Sequence, residues 1–545
     1  MRIHSYCRLP LRARKIRKIL RGYNIMKKSG GIKFYRDLVS TFVVMKFQIL
    51  EDSFSQRFFG AASPFAEISV RQFLLTRLIN IKFHDSICMW YASGKPIRYP
   101  LPMHWQRLLE ESGVRVDRGY SSSLFFIFIL SMFFFNILAS LRFQIKSFFL
   151  QSIGNEVDAY IFFAGLKENN LSKTLGVLNG GSASNSTYDI CSWYYQRFSE
   201  EQGFSVLTHD LRQAAYPFES VSVQNRKYPW FSIYGSRQRS YLLFWWAWAV
   251  SLGLTELLRG RWWYAAMLYE SSLAKAVSLV DSNRLAKSYL FHYSSSRFRP
   301  LWTYTCEKMG SDVIAYFYST YEQPRVANTS ETRFFDYGAI TWGKLYVWTK
   351  TQKDSILKAN IQYKPDVSVV GPVWFEDSGG SLDTLPLNGI SVFPVTNHRV
   401  VYHRGLSSNA EWLAVYPDLY RRFLMDISSV LRSLGLTMLV KVKRDIGVRE
   451  RKSTKMLHSE LANVDNVHFV DPSISAFRLM ARSVAAISMP FTSTALCGPS
   501  QDFPSIYYDP TGWIEKTDPA GNGIPILSGI DELECWMNDL VSNIE

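Results

Sequence analysis

Three consecutive hydroxyl residues follow an apolar run near the end of the chain, where Ala485–Leu496 reads AAISMPFTSTAL. A strand over Val484–Ser488 that breaks at Met489-Pro490 would carry Phe491, Thr492, Ser493 and Thr494 to the start of a helix. Backbone N–H groups at a helix start, joined by hydroxyl donors, hold an anion such as the phosphates of a nucleotide. The same residues would equally serve as an ordinary helix N-cap. A second cluster, Lys441-Val442-Lys443-Arg444, closes the apolar run Thr437–Val442, and seven Lys or Arg stand against two acids from Lys441 to Lys455. Cations at the carboxyl end of a parallel strand point into a cleft and can neutralise a pyrophosphate. The stretch Arg449–Lys455 reads as well as a solvated basic loop.

The elements that must position these groups follow from the hydropathy pattern. From about residue 155, short apolar runs alternate with helical stretches, the signature of an α/β chain. Strands are expected at Ala159–Ala164, Phe204–Thr208, Tyr289–Tyr293, Val313–Tyr318 and Lys344–Trp348. A second series is expected from Val367–Val373 through Ile390–Val395, Thr437–Val442, Val467–Val470, Val484–Ser488, Ser505–Tyr508 and Ile524–Leu527. Helices fit at Thr351–Asn360, Glu411–Leu434, Ser473–Arg482 and Asp531–Ser542. This pattern predicts two Rossmann-like domains, residues 151–362 and 363–545, facing each other across a cleft. Ligands would sit at the carboxyl ends of the strands. The Gly180–Thr187 stretch reads as a linker or a loop on the acceptor side.

Residues 1–150 read differently. Of the 545 residues 47% are hydrophobic and 20% charged, which excludes a disordered chain. More than half of the net charge of +16 sits in residues 1–30, with ten Lys or Arg and no acid. A basic tail beside apolar segments suits anionic lipid, and no recognition module supports nucleic-acid binding. From Gly119 to Leu141 no residue is charged, long enough for a membrane span. Basic residues on both flanks favour a re-entrant or in-plane helix, or a span paired with a second crossing. The Trp-rich run Tyr241–Thr255 suits the headgroup level, and either run would equally read as a buried core helix. An N-terminal basic and apolar membrane-associating region is therefore expected over residues 1–150. Six scattered cysteines without a CxxC pair, and no His pair at ligand spacing, point to a reducing compartment and no structural zinc.

Together, the strand, the PFTS tetrapeptide and the helix after it resemble the polysaccharide biosynthesis PFTS-motif proteins of bacteria. The resemblance runs over roughly residues 285–530, through Val369-Val-Gly-Pro-Val-Trp374, Ile390-Ser-Val-Phe393, Lys441–Arg444 and Tyr507-Tyr-Asp-Pro-Thr-Gly512. It implies a GT-B-like glycosyltransferase with the nucleotide-sugar donor held mainly by the second domain. The chain is also similar to the sialyl- and Kdo-transferase type, in which a Lys-Pro-His-Pro segment and a later hydroxyl pair hold the donor phosphate. Here Val442 and Lys443 replace that proline and histidine.

The implied reaction moves a sugar from its nucleotide to a growing, lipid-linked surface polysaccharide at the cytoplasmic face of the inner membrane. The leaving phosphate would be met by Lys441, Lys443, Arg444 and the Pro490–Thr494 turn, without a metal or a resident cofactor. A base for the acceptor hydroxyl should come from the first domain. Glu322, in Tyr318-Ser-Thr-Tyr-Glu-Gln-Pro-Arg325, has the best position, ahead of Asp336 and His398. The alternative is a non-catalytic membrane-bound scaffold that retains the transferase fold.

Overall fold

The computed structural model describes residues 15, 18–19, 21–26, 28–44, 52–149, 161–164, 190, 193–194, 197–198, 206–209, 216–218, 221–225, 235–293, 299–317, 319–320, 340–359, 364–372, 382, 385–386, 389–395, 418–442, 452–472, 474–498 and 502–543. Its strands form two sheets. The first holds β1 (Ile161–Ala164), β2 (Val206–His209), β3 (Tyr216–Phe218), β4 (Val221–Asn225), β5 (Ser288–Tyr293), β6 (Asp312–Phe317), β7 (Lys344–Val347) and β8 (Asp366–Val369). They lie in the order β3-β4-β2-β1-β5-β6-β7-β8 and are parallel except for the β3–β4 pair. The second holds β9 (Gly389–Phe393), β10 (Thr437–Val440), β11 (Val467–Phe469), β12 (Ala485–Ser488), β13 (Ser505–Asp509) and β14 (Ile526–Ser528). Its order β11-β10-β9-β12-β13-β14, all parallel, is that of a doubly wound dinucleotide-binding sheet.

Central strands of such a sheet are covered on both faces, so they read as unbroken apolar runs; every residue of β9 and of β12 is buried. The run Val367–Val373, expected to open the second series, holds β8 over Asp366–Val369 instead, which pairs with β7 from Lys344↔Asp366 to Val347↔Val369 at the edge of the first sheet. Pattern alone marks a strand without naming its neighbour. The long helix expected from Glu411 is seen over Asp418–Ser433, where Leu419, Phe423, Leu424, Ile427 and Leu431 form the buried stripe. The left-handed Gly435 (φ 67°) follows it.

Among the described residues, the helices before β1 are α1 (Gly31–Val44), α2 (Asp52–Phe59), α3 (Ser63–Leu78), α4 (Ile81–Ser93), α5 (Met103–Glu111) and α6 (Arg118–Phe149), and α7 (Ser236–Leu258) and α8 (Trp263–Val277) lie between β4 and β5. They do not stand apart from the sheet. One apolar core runs from Ile19 through α1–α8 to Val367, with α8 at its centre, packed on α2, α6, α7 and α9 (Trp302–Lys308). The remaining helices flank the strands: α10 (Lys350–Ala359), α11 (Asp418–Ser433), α12 (Lys452–Leu461), α13 (Ala476–Met480) and α14 (Ile530–Ser542). A buried cation joins the two parts of the first core. The Arg299 side chain, 2% exposed, contacts Glu307 Oε2 at 2.5 Å. It donates to Thr303 Oγ1 at 2.8 Å and Thr341 O at 2.8 Å and lies over the Tyr304 ring at 4.0 Å. Its backbone N–H donates to Gln72 Oε1 of α3 at 3.2 Å.

Candidate functional site

In the second sheet the chain winds outward in opposite directions from β9 and β12, so the crevice at their carboxyl ends is the topological switch point. That is where open α/β sheets bind ligands. The Pro490–Thr494 turn lies there. Met489 N donates to Phe393 O at 3.0 Å, which locks the start of the turn onto the end of β9. Thr492 bonds back to Met489 O through both its N–H (3.1 Å) and its Oγ1 (2.9 Å). Thr494 Oγ1 donates to Thr492 Oγ1 at 3.1 Å. The expected helix is a five-residue 3-10 helix, Ser493–Cys497, and the Thr492 side chain does not cap it. The two threonine hydroxyls thus hold the turn in shape.

Between them, Phe491 adopts φ 58°, a left-handed conformation that a bulky residue keeps only when its surroundings enforce it. Its ring is buried and meets Tyr507 edge-on, centroids 5.4 Å apart. Ala495, Ile514, Ala520 and Ile526 complete the cluster. Tyr507 OH donates to Thr492 O at 3.2 Å. The loop after β13 is clamped by the buried Asp509 carboxylate, which accepts from Thr511 N (2.9 Å), Thr511 Oγ1 (2.6 Å) and Ile514 N (3.0 Å). Burial pushes the nearby Cys497 thiol well above its ordinary range, so it is no nucleophile at neutral pH.

Ser493 turns to the other domain. Ser319, two residues beyond β6, donates to Ser493 Oγ at 3.2 Å. The Ser319 carbonyl accepts from Gln352 Nε2 at 3.1 Å, and the same amide accepts Trp348 N at 3.0 Å. Trp348 Nε1 donates to Phe317 O at 2.6 Å. A second contact between the domains joins Thr351 Oγ1 to Pro519 O at 3.1 Å. Carboxyl-end loops of the two sheets therefore meet face to face at the motif. Ser319 and Gln352 escaped sequence reading; the run Ser319-Thr320 directly after an apolar strand is a signal for the first, and a lone glutamine offers none.

The sequence-derived residues fall into three groups. Pro490, Phe491, Thr492, Ser493 and Thr494 come together at the crevice. Lys441 directly follows β10, and its Nζ donates to Pro472 O beyond β11 at 3.2 Å, so it reaches to the β11 side. Lys443, Arg444, Glu322, Asp336 and His398 lie outside the described residues.

Two parallel α/β sheets that meet at the carboxyl ends of their strands define a GT-B-like protein. The family model for "Polysaccharide biosynthesis PFTS motif protein" matches residues 241–537. The chain belongs to that family. No curated protein matches it in sequence. Similar solved structures include the UDP-GlcNAc 2-epimerase of Methanocaldococcus jannaschii, with 9% identity, 50% of this chain and 74% of that chain covered, and a TM-score of 0.31. The calicheamicin glycosyltransferase CalG4 has 8% identity, covers 70% and 90%, and scores 0.31. The wall teichoic acid polymerase TagF has 10% identity, covers 75% and 91%, and scores 0.34.

Proposed function

We propose that this protein is a glycosyltransferase that moves a sugar from a nucleotide-sugar to a lipid-linked polysaccharide. The observation that carries the reading is the position of the family's own motif at the switch point of a Rossmann-order sheet, against a loop of the facing domain. In the reaction the bond between the anomeric carbon and the phosphate oxygen breaks and its electron pair leaves with the nucleotide. The acceptor oxygen bonds to that carbon, and its proton passes to a carboxylate, assigned to Glu322. Charge gathering on the departing phosphate is met by the Ser493 hydroxyl, the N–H groups of the turn and the Lys443 and Arg444 cations. Fixed donors of this kind need no rearrangement at the moment of transfer.

The test is thermal stability of the purified chain against a panel of nucleoside mono- and diphosphates. One nucleotide should stabilise the protein, by about 2.7 kcal/mol at a hundredfold excess over Kd, and Ser493→Ala and Lys443→Ala should raise Kd at least tenfold, cutting the stabilisation at that concentration to about 1.4 kcal/mol or less. A chain that responds to none is the scaffold rather than the enzyme. Wild-type response in both variants removes the site assignment.

A further inference from the structure

The two longest apolar helices form one surface. Trp246 Nε1 of α7 donates to Ser140 Oγ of α6 at 2.7 Å, and Gly253 abuts the Phe133 ring, so the helices run antiparallel. Both rest on α8; Asn136 Nδ2 donates to Ala265 O (3.1 Å) and Ala266 O (2.7 Å) and pins α6 to it. A helix packed this way on a soluble domain turns polar residues outward. Here the outward face is apolar as well: Phe135 is 61% exposed, Leu138 66% and Phe244 75%, with Phe134, Leu254 and Leu258 alongside. Helix α6 contains no acid, and α7 contains only Glu256, which Arg259 and Arg261 hold at 2.8 and 2.9 Å.

We propose that the α6/α7 face docks on a bilayer and lies in one leaflet, parallel to the membrane plane, over anionic lipid. Its rim fits that occupant. Tyr120 at one end lies under Arg98 (5.2 Å), and Tyr241 at the other lies under Lys275 (4.8 Å). A phenol beside a cation suits the headgroup level. At one end Arg98, Arg118, Arg259 and Arg261 share Asp117, Glu110 and Glu256, and Arg115 adds to the small excess of positive charge, while Arg142, Arg237 and Arg239 stand at the other. Cations at both ends draw both ends to the same charged surface. Crossing is opposed by the packing. Gly119 to Arg142 spans about 35 Å, and at that depth α8, α2 and α9 would follow into hydrocarbon. They would carry Arg57, Lys308 and the Arg299–Glu307 pair with them, at a cost of several kcal/mol per ion. This docking does not depend on the transferase reading.

The experiment adds the full-length protein to preformed vesicles of phosphatidylcholine with and without phosphatidylglycerol and follows flotation. Wild type should float, more so with phosphatidylglycerol, and high salt should remove that increment. Phe134→Ser/Phe135→Ser/Leu138→Ser and Phe244→Ser/Leu254→Ser should each lower the partition coefficient at least tenfold with Tm and nucleotide response unchanged. Ser123→Cys and Ser240→Cys, at opposite ends of the face, should both react with an impermeant maleimide added outside, read site by site by mass spectrometry. Protection of one end alone would mean a span and overturn the proposal. So would failure to float with a dimer that the triple substitution dissolves, since a second copy would then be the occupant.

Discussion

Phe491 offers a direct test of the motif's backbone. At φ 58° an L-residue carries about 1–2 kcal/mol of strain. Phe491→Ala keeps that strain and removes a buried ring, at about 3–5 kcal/mol. Phe491→Gly loses the same ring but relieves the backbone. Glycine ordinarily costs about 0.5–1 kcal/mol more than alanine through the entropy of the unfolded chain, so the relief leaves Gly ahead by about 0.5–1 kcal/mol. The usual ranking is therefore reversed at this one position. Hydrogen exchange on the full chain reads it in the peptides that cover β12 and the turn. A gap of about 0.8 kcal/mol makes their amides exchange roughly fourfold faster in the Ala variant than in the Gly variant. Equal exchange, or better protection with Ala, would refute the left-handed geometry and the account of the turn built on it.

Two further outcomes follow from buried ionisable groups. Burial lifts Glu270 to about 7, against the bond from Leu301 N and the attraction of Arg77. The unfolded chain loses this proton at ordinary carboxylate pH and the folded one does not. The group's contribution is therefore fully present at acid pH and declines as pH rises to about 7, by at most about 3 kcal/mol. Glu270→Gln keeps the acceptor, so its Tm at pH 7.5 should exceed wild type and its drop between pH 5 and 7.5 should be smaller. Arg299→Met leaves the buried Thr303 Oγ1 and Thr341 O without their donor and should cost about 1–3 kcal/mol in denaturant unfolding, since the one-third-exposed Glu307 keeps its water; a loss under about 0.5 kcal/mol would deny Arg299 its role in joining the two parts of the core.

Much of the second sheet was legible because β9 and β12 are covered on both faces and their apolar runs have no other use. The motif was legible as a turn for the same reason: Pro490 must end the strand. Its inner geometry was not. That Thr492 and Thr494 brace each other while Ser493 faces Ser319 depends on a φ value and on a partner 174 residues away, and neither leaves a mark in local spacing. Helix α3 stayed hidden because its burial is not one-sided. In α3, residues from Ser69 to Leu75 are buried without a break, which erases the 3.6-residue rhythm that reveals a helix at a surface. The β3–β4 pair was missed through its shortness, and β8 was assigned to the wrong sheet because a strand's partner is a tertiary fact.

The shared core of α1–α8 and the first sheet bears on what the unit of inheritance is. The family's recognisable segment begins at Tyr241, inside α7, yet α8 within that segment is wrapped by α2 and α6 from outside it. A shortened chain of residues 241–537 would bare the Ala265–Ala266 backbone that Asn136 covers and the N–H that Gln72 accepts from Arg299. Such a fragment should come out of the cell insoluble. The upstream helices are thus the missing half of a folding unit, and changes in them should track changes in the segment that bears the motif.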